Sequence, residues 1–392
     1  MLCNYYSSKW KRTLINPPLA LYIHIPWCVQ KCPYCDFNSH GLKSELPEAA
    51  YVAHLLDDLA AEVAHIGDRE ITSIFIGGGT PSLFSAQSIA TLINGVKDRA
   101  NLSRNAEITL EANPGTVESG RFAGYVEAGI NRISIGIQSF EPKHLKVLGR
   151  IHDREQANRA IVQAHEAGLN SFNIDLMHGL PEQSVDNALA DLKTAIAQNP
   201  KHLSWYQLTI EPNTPFYSKP PTLPDDDILW EIQEQGHDIL TAAGYQQYEI
   251  SGYSKTGFQC QHNLNYWRFG DYLGIGCGAH GKVTHAEMGR IERRVKVKHP
   301  RGYMDFTRDY TDTVSEVEKD DIPFEFFMNR LRLVEPCPIE DYEAYTGQIL
   351  NQDVLNAIEK SVDQGLLTQS NQFWQVTHKG RRYLNSLLSQ FV

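Results

Sequence analysis

The chain has 392 residues, 42% hydrophobic and 21% charged, a composition typical of a folded protein with room for one large domain and a smaller one. Its formal charge of −11 argues against a general polyanion-binding surface, so nucleic acid is not expected as a partner. Seven cysteines, three of them close together, favour a reducing cytoplasm and a metal site over disulfides, and no apolar run is long enough to span a membrane.

The first element that the sequence predicts is a strand over Leu19–Ile25, which is mostly apolar and is ended by Pro26. Residues 1–18 precede it, carry several basic side chains and lack the apolar core of a signal peptide, so a tail is expected there. A cysteine-rich stretch, residues 28–35, follows the strand. It is therefore expected in a loop at the C-terminal end of the first strand.

Three cysteines in this loop, Cys28, Cys32 and Cys35, are spaced by four and then three residues. Thiolates at this spacing can bind three corners of an iron–sulfur cube and leave one iron without a protein ligand. A structural zinc site would need a fourth ligand, such as His24 or His40. A disulfide with a spare thiol is a weaker alternative in a reducing compartment. We interpret the stretch as the ligand loop of a [4Fe–4S] cluster whose open iron holds a small molecule.

Strands then alternate with helices along the chain, as in an α/β protein. The alternation predicts parallel strands joined by right-handed crossovers, and so a full or partial (β/α) barrel over residues 19–255, with a doubly wound sheet as the alternative. Functional groups of such barrels gather at the C-terminal ends of the strands. After the first strand, further strands are expected at 71–76, 107–112, 132–138, 172–177 and 202–210, with another at 245–250.

Beyond the barrel, residues 256–320 are interpreted as a connecting segment. Residues 321–392 read as helices followed by a late pair of short strands, an order that resembles a small winged-helix module. Winged helices often bind DNA, but this region is not markedly basic. Packing against the barrel is therefore the preferred interpretation.

Several polar or glycine-rich positions coincide with the predicted strand ends. The run 77–81, Gly-Gly-Gly-Thr-Pro, would let the backbone approach a ligand, although it is neither a Walker loop nor a dinucleotide fingerprint. Glu111, Gln138 and Asp175 lie at or near the ends of the third, fourth and fifth strands, where a carboxylate can bind a ribose hydroxyl or an ammonium group. Arg150 could pair with a ligand carboxylate or merely cap a helix. Each position alone is weak evidence for a ligand site. Together, at the C-terminal ends of neighbouring strands, they predict one.

A second group of candidate residues lies in the connecting segment. His262 stands close to Tyr266 and Trp267, so it could ligate haem iron with aromatic rings against the macrocycle. A buried histidine with satisfied hydrogen bonds is the alternative, and the commoner outcome for a single residue. Cys260 and Cys277 are interpreted as small buried hydrophobic residues.

Taken together, these motifs resemble the radical S-adenosylmethionine (SAM) superfamily. Within it the chain is similar, from Leu19 to the C-terminus, to the oxygen-independent coproporphyrinogen III oxidase (HemN) group, and most of all to its haem-chaperone branch, the HemW family. The matching stretches are 22–28, 77–81, 111–114, 136–140, 173–176 and 262–267.

The resemblance implies three cofactors: a [4Fe–4S] cluster on the three cysteines, SAM on its open iron, and haem. His262, in His-Asn-x-x-Tyr-Trp, matches a haem-site position. The positions that match SAM contacts, some of them to a second SAM in the oxidase, are Tyr22, Tyr34, Gly78, Gly79, Thr80, Glu111, Gln138, Arg150 and Asp175.

One departure separates the two branches of the group. The oxidase carries a fourth cysteine two residues after the third, and here that position is Phe37. The stretch before the barrel, residues 1–18, is also much shorter than in the oxidase. Both features favour a haem chaperone that delivers haem to acceptor proteins of the respiratory chain. The sequence does not decide whether the protein contacts a membrane peripherally or forms a homodimer. The alternative is a radical SAM enzyme that decarboxylates porphyrinogen propionates.

Overall fold

A sheet of parallel strands carries the polar positions predicted from the sequence. The computed structural model describes residues 14–116, 120–169 and 171–392, so most of the predicted tail, residues 1–18, lies outside the described residues. Within these ranges the strands are β1 (Leu19–Ile25), β2 (Trp27–Cys28), β3 (His40–Gly41), β4 (Ile71–Gly78), β5 (Leu102–Ala112), β6 (Arg132–Gln138), β7 (Ser171–His178), β8 (His202–Gln207), β9 (Gln246–Gln247), β10 (Gly252–Ser254), β11 (Asp271–Ile275), β12 (His280–His285), β13 (Arg290–Lys296), β14 (Thr311–Glu316), β15 (Cys337–Pro338), β16 (Leu367–Gln369) and β17 (Phe373–Val376).

Helices follow most of the parallel strands. In the described part of the chain they are α1 (Glu48–Ile66), α2 (Ala86–Arg99), α3 (Arg121–Glu127), α4 (Pro142–Val147), α5 (Arg154–Glu166), α6 (Val185–Ala197), α7 (Pro215–Ser218), α8 (Asp226–Ala242), α9 (Gln261–Trp267), α10 (Pro300–Tyr303), α11 (Ile322–Arg330), α12 (Ile339–Thr346), α13 (Gln352–Asp363), α14 (His378–Arg382) and α15 (Leu384–Leu388). Their starts follow local chemistry. At α5, for example, Asp153 and Gln156 form a reciprocal capping box.

Twelve strands of the described chain form one sheet, in the order β14-β13-β12-β11-β1-β4-β5-β6-β7-β8-β10-β9. The seven from β11 to β8 run parallel, and the flanking strands are antiparallel. Because the order has two ends, the sheet does not close on itself. The prediction of an α/β fold with a partial barrel is confirmed.

The segment after the predicted barrel differs from the expectation. Residues 256–320, interpreted as a connection, supply β11 to β14, and β11 pairs in parallel with the first strand of the chain. The strand expected at 245–250 is reduced to β9, and β10 pairs antiparallel with β8. The sheet therefore extends well past residue 255.

The two faces of the parallel strands have different chemistry, because side chains alternate along a strand. One set is apolar and packs in the main core with the helices, where each large side chain contributes about 1.5–3 kcal/mol on burial: it includes Ile74, Ile76, Ile108, Leu110, Ile133, Ile135, Ile174 and Leu203. The other set is polar: Ser73, Glu107, Thr109, Arg132, Ser134, Asn173, Asp175 and His202. The barrel interior is thus a hydrogen-bonding environment.

Residues beyond β14 form a smaller unit with its own core, centred on Phe326, Phe327 and Trp374. Helices α11 to α15 surround the three-stranded sheet β15-β17-β16, so the expected late strand pair is present. This unit packs against the barrel, since Phe269 and Ile291 share its core. No helix in the described ranges is long and apolar enough to cross a bilayer.

Candidate functional site

A cavity of about 310 Å³ opens where the parallel strands end. Its lining comes from the cysteine loop after β1, the glycine turn after β4, and the ends of β5 to β8. The predicted site residues that line it are Cys28, Cys32, Tyr34, Cys35, Gly78, Gly79, Thr80, Glu111, Gln138, Arg150 and Asp175. The parallel order of the strands therefore brings residues from six separate segments to one place.

The cysteine loop is held at both ends. Cys28 lies on β2, which pairs with β3, and the amide of Cys35 donates to the carbonyl of Cys32 at 3.2 Å. Further along the loop, the Pro33 carbonyl accepts the Phe216 amide at 3.0 Å. Burial raises the pKa of the Cys28 and Cys35 thiols. A bound metal would displace those protons, as metal ligation by thiols requires.

The donor set of the loop suits an iron–sulfur cluster better than a single ion. In the described ranges no three His, Cys, Asp or Glu side chains are placed to hold one metal ion, whereas a cube binds each thiolate through a different iron. Arg150 Nη1 donates to Cys32 Sγ at 3.6 Å and brings positive charge to the thiols. Phe37 also lines the cavity, is 57% exposed, and carries no ligand atom.

The glycine turn is clamped onto the strand that leads into the cysteine loop. Gly79 donates its amide to the Ile25 carbonyl at 2.7 Å, and Thr80 donates to the Trp27 carbonyl at 2.8 Å. A Cβ on Gly79 would stand 2.6 Å from the Trp27 oxygen. Only glycine permits this approach, so the turn fixes the position of the loop relative to β4.

Two carboxylates line the cavity, Glu111 next to the end of β5 and Asp175 within β7. Glu111 Oε2 accepts the Gly78 amide at 3.1 Å. Burial, followed by the charge of Asp175, raises the pKa of Glu111 to about 8. Burial also raises the pKa of Asp175, against hydrogen bonds from Ser134, Ser204 and Asn173. Both shifts favour the protonated form of these carboxyls over the ionised form.

Gln138 is held in a strained conformation beside them. Its φ of 69° lies in the left-handed region, which non-glycine residues rarely adopt outside functional sites. Tyr206 donates its hydroxyl to Gln138 Oε1 at 2.7 Å, which turns the amide nitrogen away from Tyr206. Arg150 Nη2 donates to the Gly136 carbonyl at 2.6 Å. The amide and the guanidinium are thus pre-positioned.

Two predicted residues lie away from this cavity. The Tyr22 hydroxyl hydrogen-bonds with His24 Nδ1 at 2.9 Å, and its ring stacks on Phe75. His262 is buried, its Nδ1 lies 3.2 Å from the Ser73 hydroxyl, and burial lowers its pKa to about 3. The haem candidate His262 therefore lies outside the cavity, beside Phe75, the ring on which the SAM candidate Tyr22 also stacks.

Sequence reasoning missed five polar residues of the lining: Gln30, Ser39, Asn113, Ser134 and Tyr206. Tyr206 stands next to the end of β8, but the predicted strand ran on to residue 210, so the bounds set from sequence placed Tyr206 in mid-strand. Ser134 lies in mid-strand, and nothing in the sequence distinguishes it from other serines.

Comparisons with known proteins agree with this geometry. Residues 22–192 match the radical SAM superfamily, and residues 317–383 match the HemN C-terminal domain. The chain is 61% identical over 377 residues to Heme chaperone HemW of Escherichia coli K12, covering 96% of this chain and 98% of that protein. It is 58% identical over 380 residues to Heme chaperone HemW of Haemophilus influenzae, covering 96% and 98%.

The comparisons also reach more distant proteins. Radical S-adenosyl methionine domain-containing protein 1, mitochondrial, of Mus musculus is 33% identical over 381 residues, covering 94% of this chain and 86% of the mouse protein. The solved structure of coproporphyrinogen III oxidase (HemN) from Escherichia coli superposes with a TM-score of 0.80 at 22% identity, covering 96% of this chain and 90% of that chain. At that identity the superposition shows a shared fold.

Proposed function

Because the chain belongs to the HemW family of HemN-like radical SAM proteins, we propose that it is a haem chaperone. It would bind a [4Fe–4S] cluster and SAM in the cavity, take up haem, and deliver it to acceptor proteins such as components of the respiratory chain. The observation that carries the proposal is the cavity itself, where three cysteines, the glycine turn and the strand-end carboxylates converge.

The residues of the cavity suit these cofactors. When bound, the cluster supplies an iron without a protein ligand, to which the amino and carboxylate groups of SAM can bind. Cys28, Cys32 and Cys35 provide the thiolates. Glu111 and Asp175 offer carboxylate oxygens to hydroxyl or ammonium donors, and their burial makes each such hydrogen bond stronger than in water.

Phe37 is the residue that favours delivery of haem over chemistry on porphyrinogens. It occupies the position of the oxidase's fourth cysteine and offers only a ring to the cavity mouth. The fold does not separate the two activities, because the cofactor supplies the difficult chemistry in either case.

Anaerobic reconstitution followed by two assays on one sample tests the proposal. We expect haem to bind, followed by its absorbance, and coproporphyrinogen III to remain unconverted when SAM and a reductant are added. Formation of protoporphyrinogen IX would contradict a chaperone without oxidase activity. Absence of haem binding, with and without the cluster, would overturn the proposal.

His262 is the haem ligand that this proposal names. Its imidazole is enclosed by Ser73 and Phe75, so α9 must move before iron can reach it. We expect His262→Ala to weaken haem binding by about tenfold, the scale seen when one metal-site contact is lost. His237→Ala is the matched control, since His237 is a half-buried histidine hydrogen-bonded to Tyr253. Equal haem affinity in the two variants would make His262 a structural residue.

A further inference from the structure

A column of hydrogen-bonded side chains crosses the polar interior of the barrel and ends outside the cofactor cavity. Its central members, Asn173, His202 and Tyr248, are each at most 5% exposed. One end of the column is Asp175, in the cavity. The other end is Cys260, which immediately precedes α9. The column therefore joins the strand ends of the candidate site to the helix that carries His262.

Each contact in the column has good geometry except the last, which is longer. Asn173 Nδ2 donates to Asp175 Oδ1 at 2.7 Å, and Asn173 Oδ1 lies 2.7 Å from His202 Nδ1. His202 Nε2 lies 2.8 Å from the Tyr248 hydroxyl. The Cys260 amide donates to that hydroxyl at 3.4 Å. The side chains are thus connected without a gap from the cavity to the first residue before α9.

When the Asp175 carboxylate is ionised, it determines which group donates and which accepts in each hydrogen bond of the column. A carboxylate only accepts, so Asn173 must turn its NH₂ group to Asp175 and its oxygen to His202. His202 must then carry its proton on Nδ1 and accept the Tyr248 hydroxyl proton on Nε2. If Asp175 instead carries a proton to donate, the Asn173 amide can turn over, provided that the Ser134 and Ser204 hydroxyls bonded to it rotate as well, and the His202 imidazole can change tautomer. The column has two discrete arrangements, and the state of Asp175 selects between them.

The charged groups around the column favour the observed arrangement. Arg132 on β6 is buried at 4% exposure, and among the described residues no hydrogen-bond acceptor reaches its Nε. Its charge, together with burial, holds the pKa of His202 well below the usual range, so the imidazole is neutral. Asp175 also faces Glu111 on β5 and Tyr206 on β8. Glu111 opposes ionisation of Asp175, and Arg132 supports it.

A second cavity lies at the far end of the column. Its volume is also about 310 Å³, and α9 contributes Gln261, Asn265 and Arg268 to its lining. Glu107 lines it as well and accepts the His262 amide at 3.2 Å. Two backbone amides at the start of α9 thus donate hydrogen bonds, one to Glu107 and one to the column, and the Cys260 thiol also donates to Glu107 at 3.4 Å.

We propose that Asn173, His202 and Tyr248 are positioning residues that couple the ligand state of Asp175 to the start of α9. The inference rests on the proposed SAM site. A ligand that donates a hydrogen bond to Asp175 keeps the carboxylate ionised and locks the column in the observed direction. The Tyr248 oxygen then stays available to the Cys260 amide, and α9 is held. Without the ligand both arrangements are populated, and the start of α9 opens more often.

Tyr248→Phe breaks the column without touching the cavity, and Tyr253→Phe is its matched control. Tyr253 is also a buried tyrosine whose hydroxyl hydrogen-bonds with a histidine, His237, but it lies outside the column. The experiment measures SAM affinity of the reconstituted protein from pH 6 to 9, together with peptide-level hydrogen exchange across α9 with and without SAM.

For wild type and Tyr253→Phe we expect SAM to slow exchange across α9 by about fivefold or more, the lower end of typical coupling between sites. For Tyr248→Phe we expect that effect to vanish and SAM to bind about fivefold more weakly at pH 7. Its affinity should recover toward the wild-type value as the pH rises and Asp175 ionises without the column. A purely structural role of Tyr248 would not produce this recovery.

The outcomes separate the inference from the function it rests on. A wild-type protein that binds no SAM would overturn both. A wild-type protein that binds SAM, with equal affinity and equal exchange behaviour in Tyr248→Phe and Tyr253→Phe, would overturn the coupling alone. If Tyr248→Phe does not fold, His202→Leu breaks the column at its centre. This variant must then lose the slowing of exchange across α9 by SAM and must bind SAM more weakly at pH 7.

Discussion

Glu111 shows how burial changes the chemistry of a single side chain. Its pKa is raised to about 8 in the folded chain, chiefly by burial and then by Asp175, against 4.5 for a free side chain. Between these values the folded state binds a proton that the unfolded state has lost. The free energy of unfolding therefore falls as the pH rises through this window, because a group with a raised acid pKa is destabilising once ionised.

Replacing Glu111 by Gln should remove this pH dependence. We expect the melting temperature of the cluster-free wild type to fall between pH 5 and pH 8 by more than that of Glu111→Gln. The difference should correspond to about 2–4 kcal/mol at pH 8, since one pKa unit is about 1.4 kcal/mol. Glu127→Gln, at a surface position on α3, is the control and should follow the wild type. If the melting temperatures of Glu111→Gln and wild type changed with pH in the same way, the raised pKa of Glu111 would be contradicted.

Single residues of the cavity were predictable where a simple rule placed them. Glu111 and Gln138 stand at or next to the ends of β5 and β6, Asp175 lies three residues before the end of β7, and the parallel order of these strands brings all three to the cavity. Ser134 could not be found this way, because its role follows from its contact with Asp175 across two strands. His262 could not be separated from the cavity by sequence either, since only the packing of α9 determines where it lies.

At the scale of elements, the turn after β4 is the part most restricted in its sequence. A side chain on Gly79 would collide with backbone oxygens of Trp27 and Ile25. Backbone atoms cannot move aside as a flexible side chain can, so the turn would have to shift and lose its bonds to β1 and β2.

We expect Gly79→Ala to lower the unfolding free energy by about 1–3 kcal/mol, the usual range for overpacking. It should also reduce iron per chain after reconstitution, because the turn positions the cysteine loop. Gly41→Ala is the matched control, as nothing lies within 4 Å of the Cβ it would add. Normal iron content and normal stability of Gly79→Ala would show that the hydrogen bonds from the turn to Ile25 and Trp27 are not needed to position the cysteine loop.

The parallel strand that sequence reasoning missed is β11. It has five residues, begins with Asp271 and contains Gly274, so it lacks the long apolar run that marked the other parallel strands. Gly274 is needed because a Cβ there would stand 2.0 Å from the His280 backbone oxygen. Asp271 is buried at the strand start and paired with Lys282 and Arg69. Tertiary contacts, rather than local pattern, make this segment a strand.

Across the whole molecule, a buried ion network fixes the extension of the sheet to the first helix. Lys296 on β13 lies 2.6 Å from Asp58 and 2.5 Å from Glu62, both on α1, and all three are at most 2% exposed. Removing the lysine would leave two buried carboxylates with less compensation. Breaking a buried pair in this way is strongly destabilising.

Lys296→Met should therefore lower the unfolding free energy by about 3–5 kcal/mol. Lys298→Met, an exposed lysine two residues further along, should change it by less than about 0.5 kcal/mol. Denaturant unfolding of the two variants measures both values. Similar stability of the two variants would mean that methionine packing offsets the lost charge.

The position of β1 has a consequence for how the chain folds as it is made. β1 lies between β4 and β11, and β11 begins about 250 residues after it. At typical synthesis rates that interval takes roughly 10–50 seconds, during which β1 remains an edge strand on the nascent chain. The cysteine loop is equally incomplete, because Asn38 must donate to the Cys277 and Lys298 carbonyls to close it. If iron is delivered before the last third of the chain emerges, the segments around Cys277 and Lys298 that hold the cysteine loop have not yet been synthesised.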